Sequence, residues 1–299
     1  EGKILLGRKN IKKILKKKNE DELLKRKLKL VLKARSFAKK IGLNVGNSYT
    51  TYTKVDKDVL VWVLAGAKPT KFEVYTWWFP FVGTVPYKGF FNKKSAQREA
   101  LKLQKKGYET YIRGSEAIST LGWFSDPILS TTLKHENDWI VNTVLHELVH
   151  ATYWVKGDVT FNESLANFVG FQGAVEFFRQ HKKMYPDDFK LAVWRFKREL
   201  RLSEVIEALY NDLDALYKTD KTDEEKLRER EKIFEKHVLP LKSSYPELKI
   251  LSRVNNSEIL QLKFYLTDLS GFKKKFDQNE GNWKAFFKTV MDEKKQNKR

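Results

Sequence analysis

The chain of 299 residues carries 58 Lys and Arg against 38 Asp and Glu, a formal net charge of +20, with 41% hydrophobic residues, 15 Gly and 7 Pro. This composition excludes a disordered, collagen-like or low-complexity protein, and the length is sufficient for one large domain or two small ones. The sequence contains no cysteine. This excludes disulfides, thiolate metal sites and cysteine nucleophiles, so His, Asp or Glu must hold any metal.

The excess positive charge is concentrated at the two ends. Residues 1–40 contain 16 basic and 4 acidic residues, and residues 272–299 contain 9 basic and 4 acidic residues. Nucleic-acid surfaces favour Arg and stacking aromatics. Here Lys dominates and no aromatic residue precedes Phe37. The basic N-terminal region therefore indicates a solvated surface or one that faces an anionic membrane, rather than a nucleic-acid partner.

The predicted elements change character along the chain. Residues 10–18 and 21–40 read as amphipathic helices that pack against the rest of the protein. Residues 48–55, 59–65 and 71–81 are rich in Val, Thr, Tyr and Trp, and the pattern continues to residue 91. This predicts a small, mostly antiparallel sheet, completed by a strand at 108–112. The predicted helices that follow the first three strands cover residues 93–106, 137–154, 162–181, 186–201, 202–217, 222–238, 256–265 and 282–291.

This order of elements predicts an α+β fold. We expect three consecutive regions. Residues 1–45 form basic helices, residues 46–185 form a catalytic core, and residues 186–299 form a helical region that includes a charged helical hairpin.

One motif carries chemistry: His146-Glu147-Leu148-Val149-His150, in an apolar helical stretch. The spacing of four residues puts both imidazoles on one face of a helix, where they can bind one ion. The carboxylate of Glu147 can then act as a general base toward water without binding the metal. By chance the pattern occurs in on the order of 1% of chains this size. Its buried setting favours a metal, because buried polar groups need partners, and Zn²⁺ suits imidazole and carboxylate.

A catalytic zinc site takes a third protein ligand. The best candidate is Glu163, because a loop and one helical turn after His150 bring a second helix back beside the first. As an alternative, Glu163 could be only a first-turn acid that favours the helix dipole. The less suitable candidates for the third ligand are Asp158, Glu176, His135, His181 and His237.

Several blocks in order resemble a bacterial family of predicted aminopeptidases, zincin-type proteins with a gluzincin ligand set. Besides the motif at 146–150, the blocks are Trp78-Phe79-Pro80, Gly83-Thr84-Val85-Pro86-Tyr87-Lys88-Gly89-Phe90-Phe91, Gly107-Tyr108, Tyr111-Ile112-Arg113-Gly114, Ser119-Thr120-Leu121-Gly122-Trp123-Phe124, Asp126-Pro127, Gly157-Asp158 and Phe161-Asn162-Glu163-Ser164. The resemblance covers residues 45–180. Two features depart from the family pattern: Lys88 stands where the family usually has Arg, and residues 214–235 look like an insertion.

The resemblance implies zinc ligands at His146, His150 and Glu163, with Glu147 as the catalytic base. It implies a zincin-like α+β core with helical additions and a peptide substrate. Many family members resemble exported lipoproteins. We therefore expect a periplasmic, membrane-anchored protein whose signal segment precedes Glu1.

The residues do not fix the donor that stabilises the oxyanion of peptide hydrolysis. Tyr111 and Arg113 are the leading candidates, followed by Tyr153 and Tyr87, and each could instead be structural. The strand around 108–112 is the candidate for binding substrate backbone by β-addition.

Recognition of a free amino terminus needs an acid, for which Glu116 and Asp126 are candidates. Gly122-Trp123-Phe124 could line a pocket or pack in the core. The aminopeptidase assignment itself follows from the family resemblance.

Three other functions compete with a peptidase. The first is a catalytically silent zincin-fold protein of the envelope that binds peptides or a partner. The second is a zinc-stabilised structural protein, which would need a fourth protein ligand. The third is a nucleic-acid binder, whose affinity would fall steeply with salt. Glu147 favours the enzyme over the silent protein, because the base is not needed for binding alone.

Overall fold

The computed structural model of the chain describes residues 7–80, 83–115 and 125–296, which form an α+β structure. In this part of the chain the helices are α1 Ile11–Leu15, α2 Glu22–Lys40, α3 Lys93–Lys105, α4 Asn137–His150, α5 Val159–Gln180, α6 Pro186–Tyr217, α7 Asp223–Ser244, α8 Asn256–Leu266, α9 Leu269–Gln278 and α10 Trp283–Gln296. The strands are β1 Lys9–Asn10, β2 Thr51–Thr53, β3 Val61–Ala67, β4 Trp77–Phe79, β5 Gly83–Val85, β6 Tyr87–Phe90, β7 Glu109–Ser115 and β8 Ile128–Leu129.

Side chains that cap the first turn set the start of several helices. The carboxylate of Asp21 accepts a hydrogen bond from the backbone N–H of Leu24 at the start of α2. Asn92 caps α3 in the same way, and Thr222 forms a reciprocal capping box with Glu225 at the start of α7. Because the first backbone N–H groups of a helix have no partner within it, such residues fix where a helix begins.

The predicted helices differ from the structure in several places. The segments predicted at 186–201 and 202–217 form one continuous helix, α6, because no Gly or Pro lies at their junction. The helix predicted at 137–154 ends at His150, where Ala151 is the C-terminal cap. Helix α9 was not predicted.

The chain forms two compact units, each built from segments that are distant in sequence. Unit 1 comprises Glu1–Asp58, Ser119–Leu200 and Asp268–Arg299, and unit 2 comprises Val59–Ile118 and Arg201–Thr267. The three consecutive regions predicted from the sequence remain a prediction. The segments of the two units alternate along the chain.

Unit 1 contains a small three-stranded sheet of order β1-β2-β8, in which β2 pairs antiparallel with β1 and parallel with β8. The pair α4 and α5 runs through its core. Phe168 of α5 is fully buried and packs against Phe276 and Phe286, with ring centroids 6.1 and 5.3 Å away. Large aromatic side chains of this kind supply much of the apolar area that stabilises a core. Helices α9 and α10 therefore pack against α5 through these aromatic side chains.

Unit 2 contains an antiparallel sheet of order β6-β3-β7 and the two-stranded pair β4-β5. The small antiparallel sheet expected from the sequence is therefore divided among several small sheets, and β2 and β8 are parallel. A buried polar network fixes the start of α8. Glu109 accepts hydrogen bonds from Arg230 and from the backbone N–H of Asn256, at 2.6 and 2.7 Å.

Two features bear on the membrane surface predicted for the N-terminal region. Lys16, Lys17 and Lys18, between α1 and α2, are exposed to solvent. Among the described residues, no helix combines the length and the apolar character needed to cross a membrane. Contact of the basic region with an anionic surface remains a prediction.

Candidate metal centre

Helix α4 is buried along most of its length, and the histidine motif lies in its last two turns. Six of its apolar residues are at most 1% exposed: Ile140, Val141, Val144, Leu145, Leu148 and Val149. Burial of these side chains stabilises α4 in the folded protein, because the removal of apolar surface from water is favourable. It also places the imidazoles of His146 and His150 where a polar group needs a partner.

The structure brings Glu163 of α5 to these two imidazoles. The Nε2 atoms of His146 and His150 lie 3.1 Å apart. The Oε2 atom of Glu163 lies 3.4 Å from the first and 3.5 Å from the second. Three potential ligand atoms thus form a nearly equilateral triangle in the interior of unit 1.

The dimensions of this triangle suit a zinc ion. Ligands that surround zinc tetrahedrally at about 2.0–2.1 Å lie about 3.3 Å from one another. The measured separations of 3.1, 3.4 and 3.5 Å match this edge length. Two imidazoles with one carboxylate are also the donor set of open, catalytic zinc sites. His146, His150 and Glu163 are the group within the described ranges that could hold a metal ion.

The electrostatics of the triangle favour a positive charge at its centre. Burial alone raises the pKa of Glu163, but hydrogen bonds and charge from the two imidazoles hold this pKa well below its ordinary value. Burial lowers the pKa of His146, yet the hydrogen bond to Glu163 and the charge of Glu147 raise it above its ordinary value. The site therefore keeps Glu163 ionised and stabilises a cation beside it.

Local contacts of the loop between α4 and α5 set the position of Glu163. Asp158 caps α5 by accepting a hydrogen bond from Phe161 N, at 3.0 Å. The fully buried side chain of Asn162 accepts a hydrogen bond from Val155 N and donates one to Val155 O, at 2.8 and 2.9 Å. These bonds fasten the loop to the first turn of α5. Glu163, the next residue, is thereby held beside the end of α4.

A glycine of α5 permits the close approach of the two helices. Gly170 lies two turns beyond Glu163 and faces Asn142, one turn before His146, so α4 and α5 run antiparallel. A Cβ atom at Gly170 would lie 2.9 Å from Asn142 Nδ2 and 3.1 Å from Asn142 O. The latter is a backbone atom and cannot turn aside. Gly170 was not predicted to matter, although Gly in a long apolar helix is itself a signal of close packing.

Replacement of Gly170 by Val is expected to separate α4 from α5. Overpacking of this kind costs about 1–3 kcal/mol of stability, and the shift should also weaken zinc binding by displacing Glu163. Thermal unfolding and zinc titration measure the two effects. Gln180→Val, at the exposed end of α5, is the matched control and should alter neither. Unchanged zinc affinity in the Gly170 variant would show that helix spacing does not set the site.

Glu147 follows His146, the first candidate ligand, and its carboxylate has an unusual environment. The Oε2 atom is buried and makes no hydrogen bond within the part of the chain that the structure describes. Leaving a buried acceptor without a partner costs about 1–3 kcal/mol or more for a charged group. A carboxylate kept in this state beside three potential metal ligands is suited to accept a proton from a small molecule at the site.

Tyr49 is a buried residue close enough to Glu147 to be affected by its charge, and it was not predicted from the sequence. Burial raises the pKa of its hydroxyl well above the ordinary value, and the charges of Glu147 and Asp126 add to this effect. Its backbone is left-handed, with φ at 60°, a conformation that is strained for a tyrosine. The strand predicted at 48–55 begins only at Thr51 in β2, because extended backbone cannot continue through Tyr49. No pattern in the sequence signals this conformation.

The proposed oxyanion donors Tyr111 and Arg113 belong to β7 of unit 2. Arg113 donates a hydrogen bond to the hydroxyl of Tyr265, at 2.8 Å. Burial raises the pKa of Tyr111. In the described sheet β7 pairs with β3 on one side, and its Thr110 carbonyl accepts a hydrogen bond from Asn255. The roles of Tyr111 and Arg113 and substrate binding along β7 remain predictions.

The remaining predicted site residues are the alternative oxyanion donors, the candidate acids for the amino terminus and the candidate pocket residues. Tyr153 stacks on Phe287 of α10 with ring centroids 4.7 Å apart, and Tyr87 pairs with Ala65 in the sheet of unit 2. Asp126 is buried, and its carbonyl accepts a hydrogen bond from Tyr49 N. Two further candidates lie outside the described residues: Glu116 and the block Gly122-Trp123-Phe124.

The other potential third ligands have partners elsewhere. Asp158 caps α5 and pairs with Lys294. Glu176 pairs with Arg179. His181 lies 2.8 Å from the carbonyl of Phe177, and His237 lies 2.8 Å from Asp212. His135 follows the short helical turn Thr132–Lys134. Glu163 is thus the carboxylate that joins the two histidines in the described structure.

A family model described as "Putative aminopeptidase" matches residues 1–299 of this chain. No curated protein and no solved structure matches the chain significantly.

Proposed function

The chain belongs to the family described as "Putative aminopeptidase", and from this membership together with the site's geometry we propose that it is a zinc-dependent peptidase. Its substrates are peptides, and its fold around the site is a zincin-like α+β core. Attack at the amino-terminal residue of the substrate follows from the family description. The geometry of the site supports zinc dependence and the roles proposed here for His146, Glu147, His150 and Glu163.

One observation carries the proposal. The ligand atoms of His146, His150 and Glu163 form a triangle with edges of 3.1, 3.4 and 3.5 Å. Glu147 lies on the same helix with a buried carboxylate oxygen that has no hydrogen-bond partner among the described residues. A purely structural zinc site is closed by a fourth protein ligand. Within the described ranges, the group of candidate ligands contains three residues, which supports a site open to substrate.

The reaction needs a base, an acid and a stabilised oxyanion. Zinc bound by the three ligands would acidify water and polarise the peptide carbonyl. The carboxylate of Glu147 takes the proton from the attacking water and later donates it to the leaving amine. An oxyanion also needs a hydrogen-bond donor, and the sequence-based candidates Tyr111 and Arg113 remain predictions.

Removal of zinc tests the proposal directly. We expect the purified protein to hold about one zinc ion per chain, measured by plasma emission spectroscopy. Dialysis against 1,10-phenanthroline should abolish hydrolysis of a peptide library, and added zinc should restore it. The isomer 1,7-phenanthroline, which does not chelate, is the control. Full hydrolysis by zinc-free protein would contradict the proposal.

A catalytically silent peptide-binding protein is the alternative. It predicts the same zinc content but no turnover of any library peptide. Circular dichroism of the zinc-free form would establish that it stays folded, so that lost hydrolysis could be attributed to the metal.

A further inference from the structure

Trp154 is a large exposed side chain beside a candidate zinc ligand. It follows His150 by four residues, and its indole ring lies 5.6 Å from the imidazole of His150, with the two ring planes at 78°. The side chain is 43% exposed. Trp194 is exposed to a similar extent, so the position of Trp154 beside His150, and not its exposure alone, points to a function.

The loop around Trp154 is held on both sides. The preceding residue, Tyr153, donates from its backbone N to Val149 O at 2.7 Å, and its ring stacks on Phe287. The following residue, Val155, is buried and makes two hydrogen bonds to Asn162. The backbone of Trp154 is therefore fixed, and its ring is presented beside His150 in a defined place.

We propose that Trp154 forms an apolar wall of the substrate pocket, so that the enzyme prefers peptides with an aliphatic or aromatic side chain next to the scissile bond. This inference rests on the proposed peptidase function. The indole offers an apolar face to a side chain positioned by the metal centre. Binding of such a side chain would cover the exposed part of the indole.

The selectivity that a hydrophobic pocket provides is limited. One methylene group changes specificity about 10- to 200-fold at most. We therefore expect leucyl and phenylalanyl substrates to exceed the corresponding glycyl and aspartyl substrates about tenfold or more in kcat/KM. Rejection of aspartate is expected to be the stronger effect, because a carboxylate against an indole loses its water.

Trp194 provides a matched control. It lies in α6, it also belongs to unit 1, and its exposure of 41% is close to that of Trp154. Its ring contacts the guanidinium of Arg198 at 5.2 Å. Trp194→Ala therefore removes an indole of similar exposure at a position away from His150.

The first experiment compares Trp154→Ala, Trp154→Phe and Trp194→Ala with the unmodified chain. Calorimetry measures binding of leucine, phenylalanine, glycine and aspartate hydroxamates to each zinc-loaded protein. The unmodified chain and Trp194→Ala should favour the first two about tenfold or more. Trp154→Ala should lose most of this preference with unchanged zinc content, and Trp154→Phe should retain part of it. An undiminished preference in Trp154→Ala would overturn the inference, as would a preference for aspartate hydroxamate in the unmodified chain.

The second experiment separates failure of this inference from failure of the proposed function. Peptides that vary on both sides of the scissile bond are offered to the same proteins, with kcat and KM measured for each. Hydrolysis whose selectivity is unchanged in Trp154→Ala would overturn only the pocket. Hydroxamate preference that depends on Trp154, without hydrolysis of any peptide, would overturn the peptidase and support the pocket. A chain that binds no zinc would overturn both.

Discussion

Glu147→Gln is expected to lower kcat for peptide hydrolysis about 10²- to 10⁴-fold while the protein retains its zinc, because this is the range that a positioned general base contributes. Glutamine has the size of glutamate and can occupy the same space on α4, but it cannot accept a proton. The two histidines and Glu163 are unchanged, so metal content should remain at about one ion per chain. Steady-state kinetics and metal analysis of the same preparation measure both results.

Glu136→Gln is the control for this variant. Glu136 precedes α4, and its exposed carboxylate pairs with Arg195, at 3.1 Å. Loss of an exposed ion pair changes stability by about 1 kcal/mol or less, so this variant should hydrolyse peptides normally. Equal activity in Glu147→Gln and the unmodified chain would exclude Glu147 as the base. Loss of zinc from Glu147→Gln would show that it supports the ligands instead.

Local sequence patterns predicted much of the fold near the site. The helix that carries the histidine motif, the loop after it and the return of a second helix follow from apolar periodicity and from turn residues. The pairing of Glu163 with His150 follows from the same reasoning, since a short loop forces antiparallel neighbours. These features depend on interactions between residues close in sequence, which explains their predictability.

Features that depend on distant contacts were not predicted. The left-handed backbone of Tyr49 is stabilised by a hydrogen bond to the carbonyl of Asp126, and no local pattern encodes it. The role of Gly170 depends on the facing residue Asn142. Likewise, unit 2 joins β7 to α8 through Glu109, Arg230 and Asn256. Secondary-structure propensity depends on each segment alone, whereas these arrangements depend on tertiary packing between segments.

Glu163→Ala should weaken zinc binding by more than about 100-fold. Loss of a residue that only supports a ligand already costs 10- to 100-fold in affinity, and Glu163 offers one of the three potential ligand atoms. The substitution also removes the negative charge that raises the pKa of His146. Competition with a chelator of known affinity measures the change, and peptide hydrolysis should fall in proportion to the zinc that is lost.

Glu176→Ala is the control for this variant. It separates the effect of losing the candidate ligand from the effect of placing an alanine in α5. Glu176 also lies in α5, but its carboxylate pairs with Arg179, at 2.6 Å. Both variants exchange glutamate for the residue with the highest helix propensity, so the helix itself is not weakened. Glu176→Ala should therefore bind zinc as tightly as the unmodified chain. If Glu163→Ala retained the same affinity as well, the third ligand would be another residue, and the open three-ligand site would no longer follow from the triangle seen in unit 1.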